Sequence, residues 1–204
     1  MPYTDFDLDT LRHRFMLTIR TEHLFPSAQA RAVPQWLQQT LEKGMPFALV
    51  SEKARSEFII VPVLLTVRDL AHERVTIYSG QRLDGDANAG LTGECDFILT
   101  TTPPLPIIQA PIISIVEAKK NDIEGGLGQC AAQMLGAQRF NARDNTGIST
   151  IYGCVTTGEA WQFMKLTGDI LIINNERYYI TEIDTILGIF TAIIIEYIQL
   201  EAVE

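Results

Sequence analysis

The stretch IISIVEAKKND, residues 112–122, carries a β-pattern straight into charge. Ile112, Ile113, Ile115 and Val116 suit a buried strand, and Glu117, Ala118, Lys119 and Lys120 follow with no turn residue between. A strand that only fills a core stops at Gly, Asn or Pro when it reaches solvent. Charge that arrives while the strand pattern holds predicts a sheet end that uses it. Side chains alternate along a strand, so Glu117 and Lys119 share a face. Strict alternation assigns Ile113 and Ile115 to that face too.

The surrounding sequence supplies the elements of an α/β domain. Val33, Trp36, Leu37 and Leu41 recur at helical spacing, with Pro34 suited to a first turn and Gly44 to the stop. A second stripe, Ala54, Phe58, Val61 and Leu65, predicts a helix that Pro62 kinks or divides. Glu57 lies beside that stripe as a half-buried acid. RVTIYSG, GECDFILT, IISIVEAK and IYGCVTTG read as strands, and GGLGQCAAQMLGAQRF as a helix. EAWQFMKLTG and DILIINNERYYI read as paired strands turning near Asn174 and Asn175. Ile183, Ile186, Leu187, Phe190, Ile194, Tyr197 and Ile198 predict a final helix. Residues 1–30 give only a helical signal around Leu11 to Ile19. Without repeats or low-complexity linkers, residues 1–204 are expected to form a single domain.

Several classes of function fit poorly. A net charge of −9 argues against a broadly basic, nonspecific nucleic-acid coat, while leaving room for a local basic groove. Cys95, Cys130 and Cys154 are odd in number and form no C-x-x-C pair, so reduced structural thiols are expected. The N-terminus has no apolar signal region, and LGIFTAIIIEYIQL contains Glu196 and is too short to span a bilayer. The expectation is a soluble, cytoplasmic protein with no membrane partner. DGDANAG places Asp84, Asp86 and Asn88 like a calcium loop, but its Gly comes one position late and Cys95 replaces the closing Glu. A hairpin connection is expected there. His13, His23 and His72 have no ligand spacing, the glycines of GGLG read as helix-start flexibility, and Trp36 and Trp161 read as core.

A carboxylate and an ammonium two residues apart at a strand end can work together. The first can hold a hard cation through oxygen, and the second can stabilise negative charge or orient water. Asp96, an acid inside the preceding predicted strand, is the natural second carboxylate, since an unpartnered acid is unfavourable there.

Asp96, then Glu117-Ala118-Lys119 one strand later, then a glutamine-bearing helix resembles the PD-(D/E)xK, or restriction-endonuclease-like, nuclease superfamily. SEKARSEFIIVPVL, GECDFIL, EAKKND and GQCAAQM also resemble a group of uncharacterised bacterial proteins common in cyanobacteria. The resemblance covers about residues 45–165. It implies a mixed central sheet flanked by helices, with Asp96, Glu117 and the Ala118 carbonyl holding Mg²⁺ or Mn²⁺. Lys119 would assist water attack on a phosphodiester, and Gln129 would position water or phosphate. Glu57 would add a third acid from the helix before the sheet, ahead of Glu52 and Glu42. Cys95 stands where the family name has proline, and the acidic excess is unlike many DNA-cutting members. The expected function is a metal-dependent nuclease, with DNA ahead of RNA as substrate. The alternatives are a noncatalytic, nuclease-derived scaffold and a hydrolase of small phosphate compounds. The apolar C-terminal helix around Phe190, Ile193, Ile194 and Tyr197 is read either as the face of a homodimer or as core packing within the chain. Gln133 reads as a helix-face amide and Lys120 as a solvated charge.

Overall fold

The computed structural model describes residues 2–201. After a short 3-10 turn at Tyr3–Asp5, the elements run α1 Leu8–Arg14, β1 Thr18–Glu22, α2 Gln35–Ala48, α3 Glu52–Arg55 and α4 Val61–Leu70. Then follow β2 Thr76–Asp86, β3 Leu91–Thr100, β4 Ile112–Ala118, α5 Ile123–Arg143 and β5 Thr150–Thr156. The chain ends with β6 Ala160–Thr167, β7 Ile170–Asn174, β8 Tyr178–Tyr179 and α6 Ile183–Glu201. The strands form one mixed sheet in the order β1-β7-β6-β5-β4-β3-β2, with the two-residue β8 paired to β6. β4 with β5 and β1 with β7 are parallel; the other pairs are antiparallel. The α/β class with a mixed, helix-flanked sheet is therefore present.

Apolar residues on the two sheet faces build two core layers. One contains Leu37, Ile60, Leu64, Phe190 and Ile194 from α2, α4 and α6 and the residues preceding α4. The other contains Leu127, Ala131, Met134 and Leu135 from α5, with Tyr3, Phe6 and Leu11 from the N-terminus. Phe190, Ile193, Ile194 and Tyr197 are buried within their own chain. Of the two readings of this apolar face, core packing is thus the one present.

Local differences from the expectations have physical reasons. Gly44 does not stop α2, which runs on through Pro46. A Cβ there would meet Phe58 backbone and side chain at 3.0 Å, so the glycine serves close helix contact instead. The helix expected to divide at Pro62 does so through a π-helical turn at Ser56–Ile60, with Pro62 in the first turn of α4. α1 ends at Arg14 and Ile19 lies in β1, so one helical signal spans two elements. The β6–β7 hairpin turns at Gly168, which has φ 58°, and Asn174 ends β7. Trp36 is partly exposed, whereas Trp161 is buried. The DGDANAG segment is a hairpin end: Asp86 accepts from Ala89 N at 2.9 Å, and its other oxygen pairs with Arg139.

The register of β4 matters most. Leu99 pairs with Ser114 and Thr100 with Ile112, which leaves Ile113 as an extra residue in a β-bulge. Ile112 and Ile115 consequently belong to the α5 layer, while Ile113 and Val116 belong to the other. Strict alternation placed Ile113 on the wrong face. Beyond the bulge alternation resumes, and Glu117 and Lys119 point toward α5, with which both form hydrogen bonds.

Candidate active site

β4, α5 and β5 form a β-α-β unit, and Glu117 and Lys119 stand at the carboxyl end of its parallel strands. That is where sites in such sheets tend to gather. Lys119 is still anchored as strand: its backbone N donates to Thr156 O at 2.8 Å. Asp122 then caps α5 by accepting from Gly125 N at 2.9 Å. The GGLG cluster gives this junction room rather than flexibility. A Cβ on Gly126 would lie 2.6 Å from Val155 Cγ1 and 3.0 Å from Lys119 Cγ. One on Gly128 would lie 2.5 Å from backbone atoms of Phe6 and Asp7. The first turns of α5 can therefore press against Lys119 on one side and the N-terminal segment on the other.

Lys119 Nζ donates to Glu117 Oε1 at 2.8 Å and to Gln129 Oε1 at 2.9 Å. Gln133, one helical turn beyond Gln129, donates to Glu117 Oε2 at 2.8 Å. It is fully buried, and its own Oε1 has no hydrogen-bond partner. The expected helix-face amide is thus a direct partner of the buried acid. Its four-residue spacing from Gln129 was the available signal.

Asp96 approaches from β3. The β3–β4 register ends at Phe97 and Val116, and Ala118 N donates to Asp96 Oδ2 at 2.7 Å. On the other side, the β2–β3 register passes from Ser79–Phe97 to Gln81–Cys95, skipping Gly80 and Asp96. Gly80 adopts φ 61°, a left-handed conformation open to glycine at little cost. The ladder is therefore open on both sides of Asp96.

The electrostatics follow from this burial. Glu117 is pushed up to about 7, first by desolvation and then by the charge of Asp96, against the opposing pull of Lys119 and Gln133. Asp96 is also raised, by burial and by the charges of Glu52 and Glu94, despite the bond from Ala118 N and the Lys119 charge. Burial pulls Lys119 down, but Glu117, with smaller help from Glu52 and Asp96, leaves it raised overall. Two buried acids beside one ammonium, with Asp96 raising Glu117, make a site with net affinity for positive charge.

Of the helix acids, Glu52 is the one near this site. It lines a cleft of about 290 Å³ with Lys53, Ser56, Gly80, Glu94 and Asp96. Glu57, the acid expected from sequence, is exposed and lies 3.8 Å from Lys53. Glu52 lies in α3, whereas Glu57 lies five residues on, inside the π-helical turn that begins at Ser56. Arg55 secures α3 over the sheet end by donating to Thr157 O at 2.7 Å and Glu159 Oε2 at 2.9 Å. Behind Glu117, Cys95 and Cys130 are buried free thiols, raised chiefly by desolvation.

Among the described residues, no cluster of three or more His, Cys, Asp or Glu side chains is arranged to hold a metal. The carboxylates of Asp96 and Glu117 are close enough for Asp96 to raise Glu117, and Asp96 accepts from the Ala118 backbone. They are hard oxygen donors whose mutual repulsion a divalent cation would relieve, so their chemistry suits Mg²⁺ or Mn²⁺. No protein-family model matches the sequence, and no curated protein or solved structure matches it significantly. No helix among the described residues is long and apolar enough to cross a membrane.

Proposed function

We propose that this chain is a metal-dependent nuclease of the PD-(D/E)xK kind, acting on nucleic acid with DNA ahead of RNA. One observation carries the reading: Lys119 bridges Glu117 and Gln129 while Asp96 is fastened to the backbone of Ala118. Asp96, Glu117 and the Ala118 carbonyl would hold Mg²⁺ or Mn²⁺. A cation there supplies Lewis acidity toward phosphate oxygens. Lys119 donates toward the negative charge that develops at phosphorus or toward the attacking water. Glu117 and Gln129 fix the direction of that ammonium, and Gln133 holds the far oxygen of Glu117. The three buried, unpaired thiols suit a reducing compartment such as the cytoplasm.

The test is cleavage of supercoiled plasmid and of single-stranded RNA with Mg²⁺ or Mn²⁺. Wild type should cut, and Lys119→Ala should lose at least a hundredfold in rate. Equal rates in both proteins would trace the activity to a contaminant and overturn the assignment.

A noncatalytic scaffold is favoured by a different observation: both oxygens of Glu117 are already satisfied, by Lys119 and Gln133. Calorimetry with Mn²⁺ separates the readings. Binding heat from wild type, lost in Asp96→Asn, supports the nuclease, whereas no heat supports the scaffold.

A further inference from the structure

The opposite end of the sheet carries a second hollow, of about 380 Å³, between the end of α4 and the last turns of α6. Tyr197 of α6 donates to Thr150 O at the start of β5, whereas Lys119 N bonds Thr156 O at its end. Six strand residues separate these points, roughly 20 Å. The two sites are therefore distinct.

The walls of the hollow are aliphatic, with Leu70, Ile194, Ile195 and Ile198, and its polar side carries the guanidinium groups of Arg31 and Arg74, with the imidazole of His72 beside them. Arg31 is placed by the loop before α2. Gly188 of α6 lies so close to that loop that a Cβ there would meet Gln29 O at 2.2 Å, and Arg31 N donates to Asp184 O at 2.9 Å. The Arg31 Nε is buried without a hydrogen-bond partner. Among the described residues, the guanidinium groups of Arg31 and Arg74 have no ion-pair or hydrogen-bond partner. His72 and Glu73 both adopt left-handed backbone angles, φ 52° and 60°, in the turn that carries Arg74 into place. Side chains other than glycine hold that conformation at a cost and concentrate it at ligand sites. A buried unpaired donor calls for a partner, and one supplied by a ligand would remove the desolvation cost.

We propose that this hollow binds an anion with an apolar tail, its head on Arg31 and Arg74 and its chain along α6. An acyl carboxylate and an alkyl phosphate share that chemistry. In a chain of net charge −9, a local pair of unneutralised guanidiniums beside aliphatic walls selects for such a molecule over a neutral lipid or a cation.

Titration calorimetry with octanoate, octyl phosphate and octanol tests this on the full chain. At least one of the two anions should bind, tenfold or more tighter than octanol, and their ranking distinguishes a carboxylate head from a phosphate head. Arg31→Met keeps the aliphatic stem and should weaken the anion at least tenfold without changing octanol. If that variant fails to fold, Arg74→Gln on the exposed side should weaken the anion several-fold. Lys119→Ala should leave the affinity unchanged, since the sites are independent. Octanol binding as tightly as both anions, or no heat from any probe, would overturn the proposal.

Discussion

Lys119 donates to Glu117 Oε1 across 2.8 Å, and the acid that receives it has a side chain only 3% exposed. Removing one member of a buried pair strands the other. Lys119→Met should therefore destabilise the metal-free protein at pH 8 by about 2–4 kcal/mol. Adding Glu117→Gln should recover most of that loss. Urea unfolding of the single and double variants measures the coupling, and additive losses would disprove it.

Glu117 also sets a pH dependence. Its pKa is raised to about 7 in the folded chain, so between its unfolded value and 7 the folded state holds the extra proton. Stability from this group is full below the unfolded pKa and falls as pH rises through the folded one. Wild type should lose roughly 2–3 kcal/mol relative to Glu117→Gln between pH 4.5 and 8. Parallel stability–pH curves for the two proteins would contradict this.

Gln133 is the only side chain on Glu117 Oε2 among the described contacts. Gln133→Leu should cost about 1–3 kcal/mol at pH 8, where the acid is charged, and less at pH 5, where it is neutral. Thermal melts at the two pH values read the difference.

The two helix acids should behave differently. Glu52 lies close enough to raise both Asp96 and Lys119, whereas Glu57 faces solvent beside Lys53. Glu52→Gln should change Mn²⁺ affinity severalfold, and Glu57→Gln should leave it within twofold. The reverse result would restore the assignment expected from sequence.

Gly128 admits the backbone of Phe6 and Asp7 against α5. Gly128→Ala forces that backbone to move and should destabilise the chain by about 1–3 kcal/mol. Limited proteolysis should then cut within the first ten residues faster than in wild type.

Much of this was legible in the sequence because it rests on local pattern. The strand ending in Glu117-x-Lys119, the acid inside GECDFIL and the glutamine helix all announce themselves through periodicity and misplaced charge. What stayed hidden depends on departures from that period. The bulge at Ile113 needs the register of β3. That Glu52 lies beside Asp96 while Glu57 lies beside Lys53 depends on the path of the chain through the π-helical turn, which has no composition signal. Burial of Gln133 depends on how closely α5 approaches the sheet, which the glycines of GGLG permit but do not announce. The C-terminal helix is apolar whether its cover is this chain or another, so sequence alone could not choose between core and dimer.

The extra residue at Ile113 divides β4 into two independent phases. Below it, Ile112 answers to the fit of the α5 layer. Above it, the direction of Glu117 and Lys119 is set afresh. Straightening the bulge at constant length, with Ile112 held in place, would turn the acid and the amine toward the layer of Phe190 without changing a single residue. The kink in the ladder, more than residue identity, is what aims the pair at α5.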